Sequence, residues 1–158
     1  FAKRITWSAS LLLGWALAMA PSAAWIGVRG SLSWEPVALS LSVALWAGSF
    51  DIMYHVQDRD FYLRDGLHSV SQRFGVESAL QICRILDLCA VFCLLGIGIL
   101  MGLGAVYFVA MAIVCAVLVY KHRLVSAQDL SRLDVAFFRM NAYVSTVVFF
   151  GAFLAVVL

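Results

Sequence analysis

Residues 76–101 read VESALQICRILDLCAVFCLLGIGILM, and this apolar run decides the class of the fold. A hydrocarbon core about 30 Å thick takes about 20 helical residues to cross, so the run is long enough to span a membrane. Four further apolar segments, at 6–28, 34–50, 104–121 and 135–158, surround it. Only 13% of the 158 residues are charged, whereas a soluble domain carries about 25%. The sequence therefore predicts an all-α, polytopic transmembrane helix bundle with five spans.

The distribution of charge predicts the orientation of these spans. With five spans, the N-terminus and the connections 51–75 and 121–134 lie on one side of the membrane. Of the 11 Lys and Arg residues, only Arg29 falls on the other side. Because cytoplasmic loops are enriched in Lys and Arg, the shared side is predicted to face the cytoplasm. Acidic residues do not set orientation, yet all except Glu35 also lie on this side, so their position needs another explanation.

The most informative polar segment is DIMYHVQDRDFYLRDG, residues 51–66, which follows the second span directly. If the helix of that span continues, four side chains fall within one stripe about 80° wide: Asp51, Tyr54, Asp58 and Tyr62. On an intact helix the two carboxylates would lie two turns, or about 10 Å, apart. Because Mg²⁺ holds its oxygen ligands at about 2 Å, the pair could not readily chelate one ion. The two carboxylates could instead bind two ions flanking a polyanion, or each complete a site with carboxylates from elsewhere.

Two interpretations of this segment remain open from spacing alone. Mg²⁺ is commonly held by one or two carboxylates plus substrate phosphates, so the segment indicates a Mg²⁺–diphosphate site. Alternatively, it is a solvated loop of mixed charge. The position of Asp51 favours a site, since ionisable residues at the edge of a span are costly and usually line a cavity or bind something. Six nearby basic side chains could neutralise phosphate oxygens: Arg59, Arg64, His68, Arg73, Lys121 and Arg123.

These residues resemble the UbiA-type intramembrane prenyltransferases, whose second acidic motif is Asp-x-x-Tyr-x-x-x-Asp-x-x-x-Asp. Asp51, Tyr54 and Asp58 match that motif. Three sequence motifs are most similar to those of the 4-hydroxybenzoate polyprenyltransferases and their relatives in the futalosine route to menaquinone: Gln57-Asp58, Gly66-Leu67-His68-Ser69 and Asp129-Leu130-Ser131-Arg132. Other matching stretches extend over nearly the whole chain: Lys3-Arg4-x-Thr6, Leu13-Gly14, Arg73-Phe74-Gly75, His122-Arg123-Leu124-Val125 and Phe137-Phe138-x-x-Asn141.

The resemblance implies a bundle of nine helices in two related halves, of which this chain would form helices five to nine. Residues 1–158 are thus expected to be the C-terminal part of a single UbiA-like transmembrane domain, with the N-terminal part missing. The first acidic motif, Asn/Asp-x-x-x-Asp, would belong to that other part and face Asp51 and Asp58. The resemblance also implies a multi-pass protein of the inner (cytoplasmic) membrane whose active site faces the cytoplasm.

The implied reaction is Mg²⁺-dependent transfer of a polyprenyl group from polyprenyl diphosphate to an aromatic acid such as 4-hydroxybenzoate, in ubiquinone or menaquinone biosynthesis. Besides the lipid bilayer, those two substrates are the expected partners, and no nucleic acid is expected. Asp51 and Asp58 would be the metal ligands, and the ring of Tyr54 would cap the site or stabilise a cation. Asn141 would shape the acceptor pocket or join helices through its amide. The candidates for contact with the diphosphate are Arg64, His68, Arg73 and Arg123.

The sequence departs from the family pattern at two positions. Tyr62 stands where the third acid is expected, and Ser71 where the loop usually has a Pro. A phenol with a pKa near 10 is a poor Mg²⁺ ligand, so the resemblance leaves the second metal without one ligand. Two other functions remain open. Tyr62 favours a degenerate, non-catalytic membrane fragment, while a transporter half with a cytoplasmic acidic site would carry more ionisable residues within its spans.

Overall fold

The computed structural model describes residues 2–158, apart from the side chain of Asp60. In that part of the chain every regular element is a helix, which confirms the predicted fold class. A turn of 3-10 helix at Ala2–Arg4 precedes the first long helix, and a turn of π-helix at Val135–Arg139 precedes the last. The α-helices, in chain order, are α1 (Ala9–Arg29), α2 (Trp34–Gln57), α3 (Arg59–Arg64), α4 (Val70–Phe74), α5 (Val76–Leu100), α6 (Ala105–Leu124) and α7 (Met140–Val157).

Within residues 2–158, five helical runs are long and apolar enough to cross a membrane, as predicted. Four are α1, α2, α5 and α6, and the fifth, Val135–Val157, joins the π-helical turn to α7. The main difference from the prediction concerns α2, which continues past residue 50 to Gln57. Ile52, Met53 and Val56 are buried against α5 and the segment before α7, and this burial explains why the helix extends beyond its apolar stretch.

The position of α2 in the bundle brings the polar segment to one end of the packed helices. α2 packs against α1 on one side and α5 on another, while α6 packs against α7. A close backbone approach joins α1 to α2, because a Cβ atom at Gly14 would overlap the carbonyl oxygen of Ala44 and lie 2.8 Å from the backbone nitrogen of Gly48. Small residues permit such approaches between membrane helices.

We call the end of the bundle that carries residues 58–75 and 125–134 the loop face. Gly75 separates α4 from α5 with a φ of +84°, a conformation that a residue with a side chain rarely adopts. Ser69 is the N-cap residue of α4, and its side chain accepts a hydrogen bond from the N–H of Gln72. The Ser71 hydroxyl donates a hydrogen bond to the carbonyl of His55 at 3.3 Å, which ties the loop to the end of α2.

Candidate active site

Asp51 occupies the part of α2 that approaches the loop face. The residue is 8% exposed, and its Oδ2 atom lies 3.3 Å from Nδ1 of His55, one turn further along the helix. That contact lacks hydrogen-bond geometry, so Oδ2 is a buried carboxylate oxygen without a hydrogen-bond partner in the described part of the chain. Because burying an unpaired carboxylate is costly, this oxygen is well suited to bind a cation.

Asp58 lies at the junction between α2 and α3. Its backbone leaves the helical path with φ −90° and ψ +13°, and the residue is half-buried. Its carbonyl oxygen still accepts a hydrogen bond from the N–H of Tyr62 at 3.0 Å. The helix of the second span, whose continuation the sequence left open, therefore extends as far as Gln57. Beyond the break, α3 carries Tyr62 in a separate short helix.

Lys3 connects three parts of the site, a role that sequence reasoning missed. Its Nζ atom lies 2.5 Å from Nε2 of His55 and 2.8 Å from Oη of Tyr62. Its carbonyl oxygen accepts a hydrogen bond from the N–H of His68 at 2.7 Å. The Lys-Arg-x-Thr stretch pointed to this residue, but positive charge near a membrane end is common and did not distinguish it.

Tyr54 begins a row of aromatic rings that leads into the bundle. It is 37% exposed, and its ring centroid lies 4.8 Å from that of Phe137. Phe137 is 5.7 Å from Phe50, which is 5.2 Å from Trp46. The row therefore runs from the loop face toward the middle of α2.

The row ends at an apolar cavity of about 600 Å³ between α2, α5, α6 and α7. Trp46, Leu94, Leu118 and Phe153 are among its lining residues, and Ser42 and Ser145 are the only residues with a hydroxyl group among the described residues that line it. The Ser42 hydroxyl already donates to the carbonyl of Ala90. A cavity with such walls suits a hydrocarbon.

Asn141 lies in the first turn of α7. Its Oδ1 atom is buried and has no hydrogen-bond partner in the part of the chain that the structure describes. Val144 and Ser145, one turn further along α7, line the cavity. Because α7 runs away from the loop face, Asn141 lies on the loop-face side of those two residues.

The four predicted diphosphate ligands are exposed and lie on the loop face or on the helices next to it. Arg64 ends α3, and Arg123 lies in the last turn of α6. The guanidinium of Arg73 lies 5.5 Å from the ring centroid of Trp7 and 5.5 Å from that of Phe74. His68 contacts Lys3 through its backbone. Among the described side chains, no ion pair or hydrogen bond links these four residues to Asp51 or Asp58.

The residues present fit a metal that is shared with another ligand. No group of three or more His, Cys, Asp and Glu side chains among the described residues could hold a metal ion. Asp51 supplies a buried oxygen without a hydrogen-bond partner, and Asp58 a half-buried carboxylate. Such a donor set matches the usual mode of Mg²⁺, which takes one or two carboxylates together with substrate phosphates.

A second buried polar cluster, which sequence reasoning did not identify, joins α5 to α6. Oδ2 of Asp87 lies 2.5 Å from Nζ of Lys121 and 2.8 Å from Nε2 of His122. Asp87 lies inside a span, where an acid is costly unless it is paired. The presence of an acid within the span at 76–101 was the one sequence signal that could have identified this cluster.

The stretch Asp129-Leu130-Ser131-Arg132 forms a turn on the loop face. The carboxylate of Asp129 accepts a hydrogen bond from the N–H of Ser131 at 2.9 Å. The hydrogen bond from Ser131 lowers the pKa of the Asp129 carboxyl below its ordinary value. The N–H of Asp129 in turn donates to Oγ of Ser126, so these residues stabilise the turn itself.

The chain is similar to known proteins over almost its whole length. The model of the UbiA prenyltransferase family matches residues 1–157. The 4-hydroxybenzoate octaprenyltransferase of Vibrio campbellii is 30% identical over 155 residues, which are 98% of this chain and 54% of that protein. The enzyme of the same name from Salmonella paratyphi C is 32% identical over 151 residues, 96% of this chain and 51% of that protein.

A solved structure shows the same fold. The apo structure of a UbiA homolog from Aeropyrum pernix K1 aligns with a TM-score of 0.78 and 27% sequence identity. The alignment covers 97% of this chain and 57% of that one. The chain therefore spans about half the length of the proteins that it matches.

Proposed function

Because the chain belongs to the UbiA prenyltransferase family, we propose that it takes part in transferring a polyprenyl group from polyprenyl diphosphate to an aromatic acid. The relatives of about 30% identity are named as 4-hydroxybenzoate octaprenyltransferases, which makes 4-hydroxybenzoate the first acceptor to test. The product would belong to ubiquinone or menaquinone biosynthesis.

One observation carries the proposal: a buried carboxylate oxygen of Asp51 lies near the loop face of a membrane bundle without a hydrogen-bond partner in the described residues. Asp51 and Asp58 would hold Mg²⁺, which when bound helps to neutralise the charge that develops on the leaving diphosphate. Four basic side chains would bind the phosphate oxygens from the loop face: Arg64, His68, Arg73 and Arg123.

The apolar parts of the site would hold the hydrocarbon portion of the substrate. The prenyl tail would lie in the cavity of about 600 Å³. The rings of Tyr54 and Phe137, 4.8 Å apart, would face the allylic carbon as it gains positive charge. The Asn141 amide, on the loop-face side of the cavity, would orient the acceptor ring. The loop face would lie in the cytoplasm and the protein in the inner membrane; the concentration of Lys and Arg on that face supports this orientation.

Prenyl transfer by membranes that contain the full-length gene product tests the proposal. Radiolabelled polyprenyl diphosphate and 4-hydroxybenzoate are supplied with Mg²⁺, and the lipid product is counted. Asp51→Asn and Asp58→Asn should each reduce transfer at least about 100-fold, because even outer-shell partners of metal ligands typically cost 10–100-fold. Asp134→Asn, an exposed acid-to-amide change on the loop face, is the matched control. Equal product from all four proteins would refute the metal site.

A further inference from the structure

Tyr62 occupies the position where the acidic motif has its third acid, and it has a different partner from the one that the motif implies. The residue is 5% exposed, and its Oη atom accepts a hydrogen bond from Nζ of Lys3 at 2.8 Å. The same Nζ lies 2.5 Å from Nε2 of His55, which is also buried. The ring centroids of His55 and Tyr62 are 5.0 Å apart in an edge-on arrangement. Both side chains thus contact the ammonium group of the half-buried Lys3.

We propose that Tyr62 and His55 are positioning residues that hold the Lys3 ammonium, with its charge uncompensated, against the diphosphate of the substrate. The inference rests on the proposed function, because it assigns a diphosphate to the site. It also gives Tyr62 a role other than that of a lost metal ligand.

The chemistry of the three groups determines the direction of each hydrogen bond. An ammonium has three donors and no acceptor, so Lys3 donates to both partners. Nε2 of His55 must therefore lack a proton, and the ring proton lies on Nδ1, which is 3.3 Å from Oγ of Ser10. Both groups that hold Lys3 are then neutral acceptors.

Neutral partners leave the positive charge available to an anion. In the described part of the chain, Lys3 forms no ion pair with a carboxylate. An aspartate at position 62 would place a negative charge beside the ammonium and neutralise it. The Tyr62 phenol instead holds the ammonium through its oxygen, a neutral acceptor that leaves the charge in place.

The backbone fixes the same lysine at the metal site. The hydrogen bond from the N–H of His68 to the carbonyl of Lys3 ties the chain before α1 to the loop after α3. On the far side of the His55 ring, Nδ1 lies 3.3 Å from the Asp51 oxygen that lacks a hydrogen-bond partner. A single imidazole therefore separates the ammonium from the carboxylate that is assigned to the metal. A diphosphate carries several negative charges, so it can bind the Lys3 ammonium and the metal held by Asp51 at the same time.

Binding of a non-transferable analogue tests the inference without relying on turnover. Geranyl S-thiolodiphosphate is titrated in the presence of Mg²⁺ into the purified full-length gene product and followed by calorimetry. Tyr62→Phe removes only the phenol oxygen and should weaken binding about tenfold to 150-fold, the usual effect of losing a hydrogen bond to a charged group. Tyr62→Asp should weaken binding further, because its carboxylate competes with the diphosphate for Lys3.

A matched control separates positioning from general destabilisation. Tyr107→Phe also removes a buried phenol oxygen, one that donates to the carbonyl of Leu94 at 2.8 Å, away from the loop face. It should leave the affinity for the analogue unchanged. In the transfer assay with Mg²⁺, Tyr62→Phe should raise KM for prenyl diphosphate by a similar factor while kcat stays within about twofold.

A pair of changes at His55 keeps the inference testable if a Tyr62 variant does not fold. His55→Gln retains an acceptor and should keep most of the affinity, whereas His55→Leu should lose it. The inference is wrong if Tyr62→Phe binds the analogue as tightly as the unaltered protein, or if His55→Gln and His55→Leu behave alike. Failure of the proposed function has a different signature, since the unaltered protein itself would neither bind the analogue nor transfer a prenyl group.

Discussion

Nζ of Lys121 lies 2.5 Å from Oδ2 of Asp87 between α5 and α6, with both residues at most 2% exposed. Removing one partner of a buried ion pair leaves an uncompensated charge. We therefore expect Asp87→Leu to lower the free energy of unfolding by about 3–5 kcal/mol, measured by denaturant titration in detergent.

The double variant Asp87→Leu/Lys121→Met provides the control for that prediction. It removes both charges and should be more stable than Asp87→Leu alone, because replacing a buried pair by apolar residues is often neutral. The loss of unfolding free energy in the double variant is compared with the sum of the losses in Asp87→Leu and in Lys121→Met. A loss equal to that sum would show that the two residues do not interact.

The approach of α1 to α2 predicts a size limit at Gly14. Gly14→Ala adds a Cβ atom against the backbone of Ala44 and Gly48. Overpacking of this kind typically costs about 1–3 kcal/mol of unfolding free energy. Gly27→Ala, in the same helix but with nothing within 4 Å of the added atom, should be neutral or stabilising by about 0.5–1 kcal/mol. Equal stability of the two variants would contradict the close contact.

The pairing of Tyr54 with Phe137 predicts that ring character, rather than the hydroxyl, supports prenyl transfer. Tyr54→Phe should retain most of kcat, whereas Tyr54→Leu should lower it about tenfold through loss of the interaction between ring and cation. Steady-state kinetics with saturating prenyl diphosphate checks this. A larger loss in Tyr54→Phe than in Tyr54→Leu would assign the role to the hydroxyl instead.

Metal dependence should appear only together with the diphosphate. Because Mg²⁺ is commonly held by one or two carboxylates together with substrate phosphates, Mg²⁺ alone should change the thermal unfolding temperature of the full-length protein little. Mg²⁺ with a prenyl diphosphate analogue should raise it, since a ligand that binds only the folded state stabilises it by mass action. EDTA should reverse the increase. An equal increase with Mg²⁺ alone would indicate a complete metal site in the protein.

The five spans could be predicted from the sequence because the length and hydropathy of a membrane helix are local properties. The end of α2 could not, since the helix is extended by the burial of Ile52, Met53 and Val56 against residues that are distant in sequence. The same limit applies to charge: Asp87 and Lys121 are 34 residues apart in sequence, and no spacing rule connects them.

In the candidate site, too, local features could be predicted from the sequence and contacts between distant residues could not. Asp51, Tyr54 and Asp58 follow from a motif within one helix and its end, and they remain proposed site residues. The contacts of Lys3 with His55 and Tyr62 join elements more than 50 residues apart. At the sequence level Tyr62 was therefore only a missing acid, and its hydrogen bond to Lys3 became visible once the chain was folded.

Asp51 and Asp58 are proposed to hold the metal that binds prenyl diphosphate. Electron paramagnetic resonance of Mn²⁺, a substitute for Mg²⁺, measures this directly in the full-length gene product with geranyl S-thiolodiphosphate present. Asp51→Asn and Asp58→Asn should each weaken Mn²⁺ binding at least about tenfold, while Asp134→Asn should bind Mn²⁺ like the unaltered protein. Unchanged Mn²⁺ affinity in both Asp51→Asn and Asp58→Asn would contradict the claim.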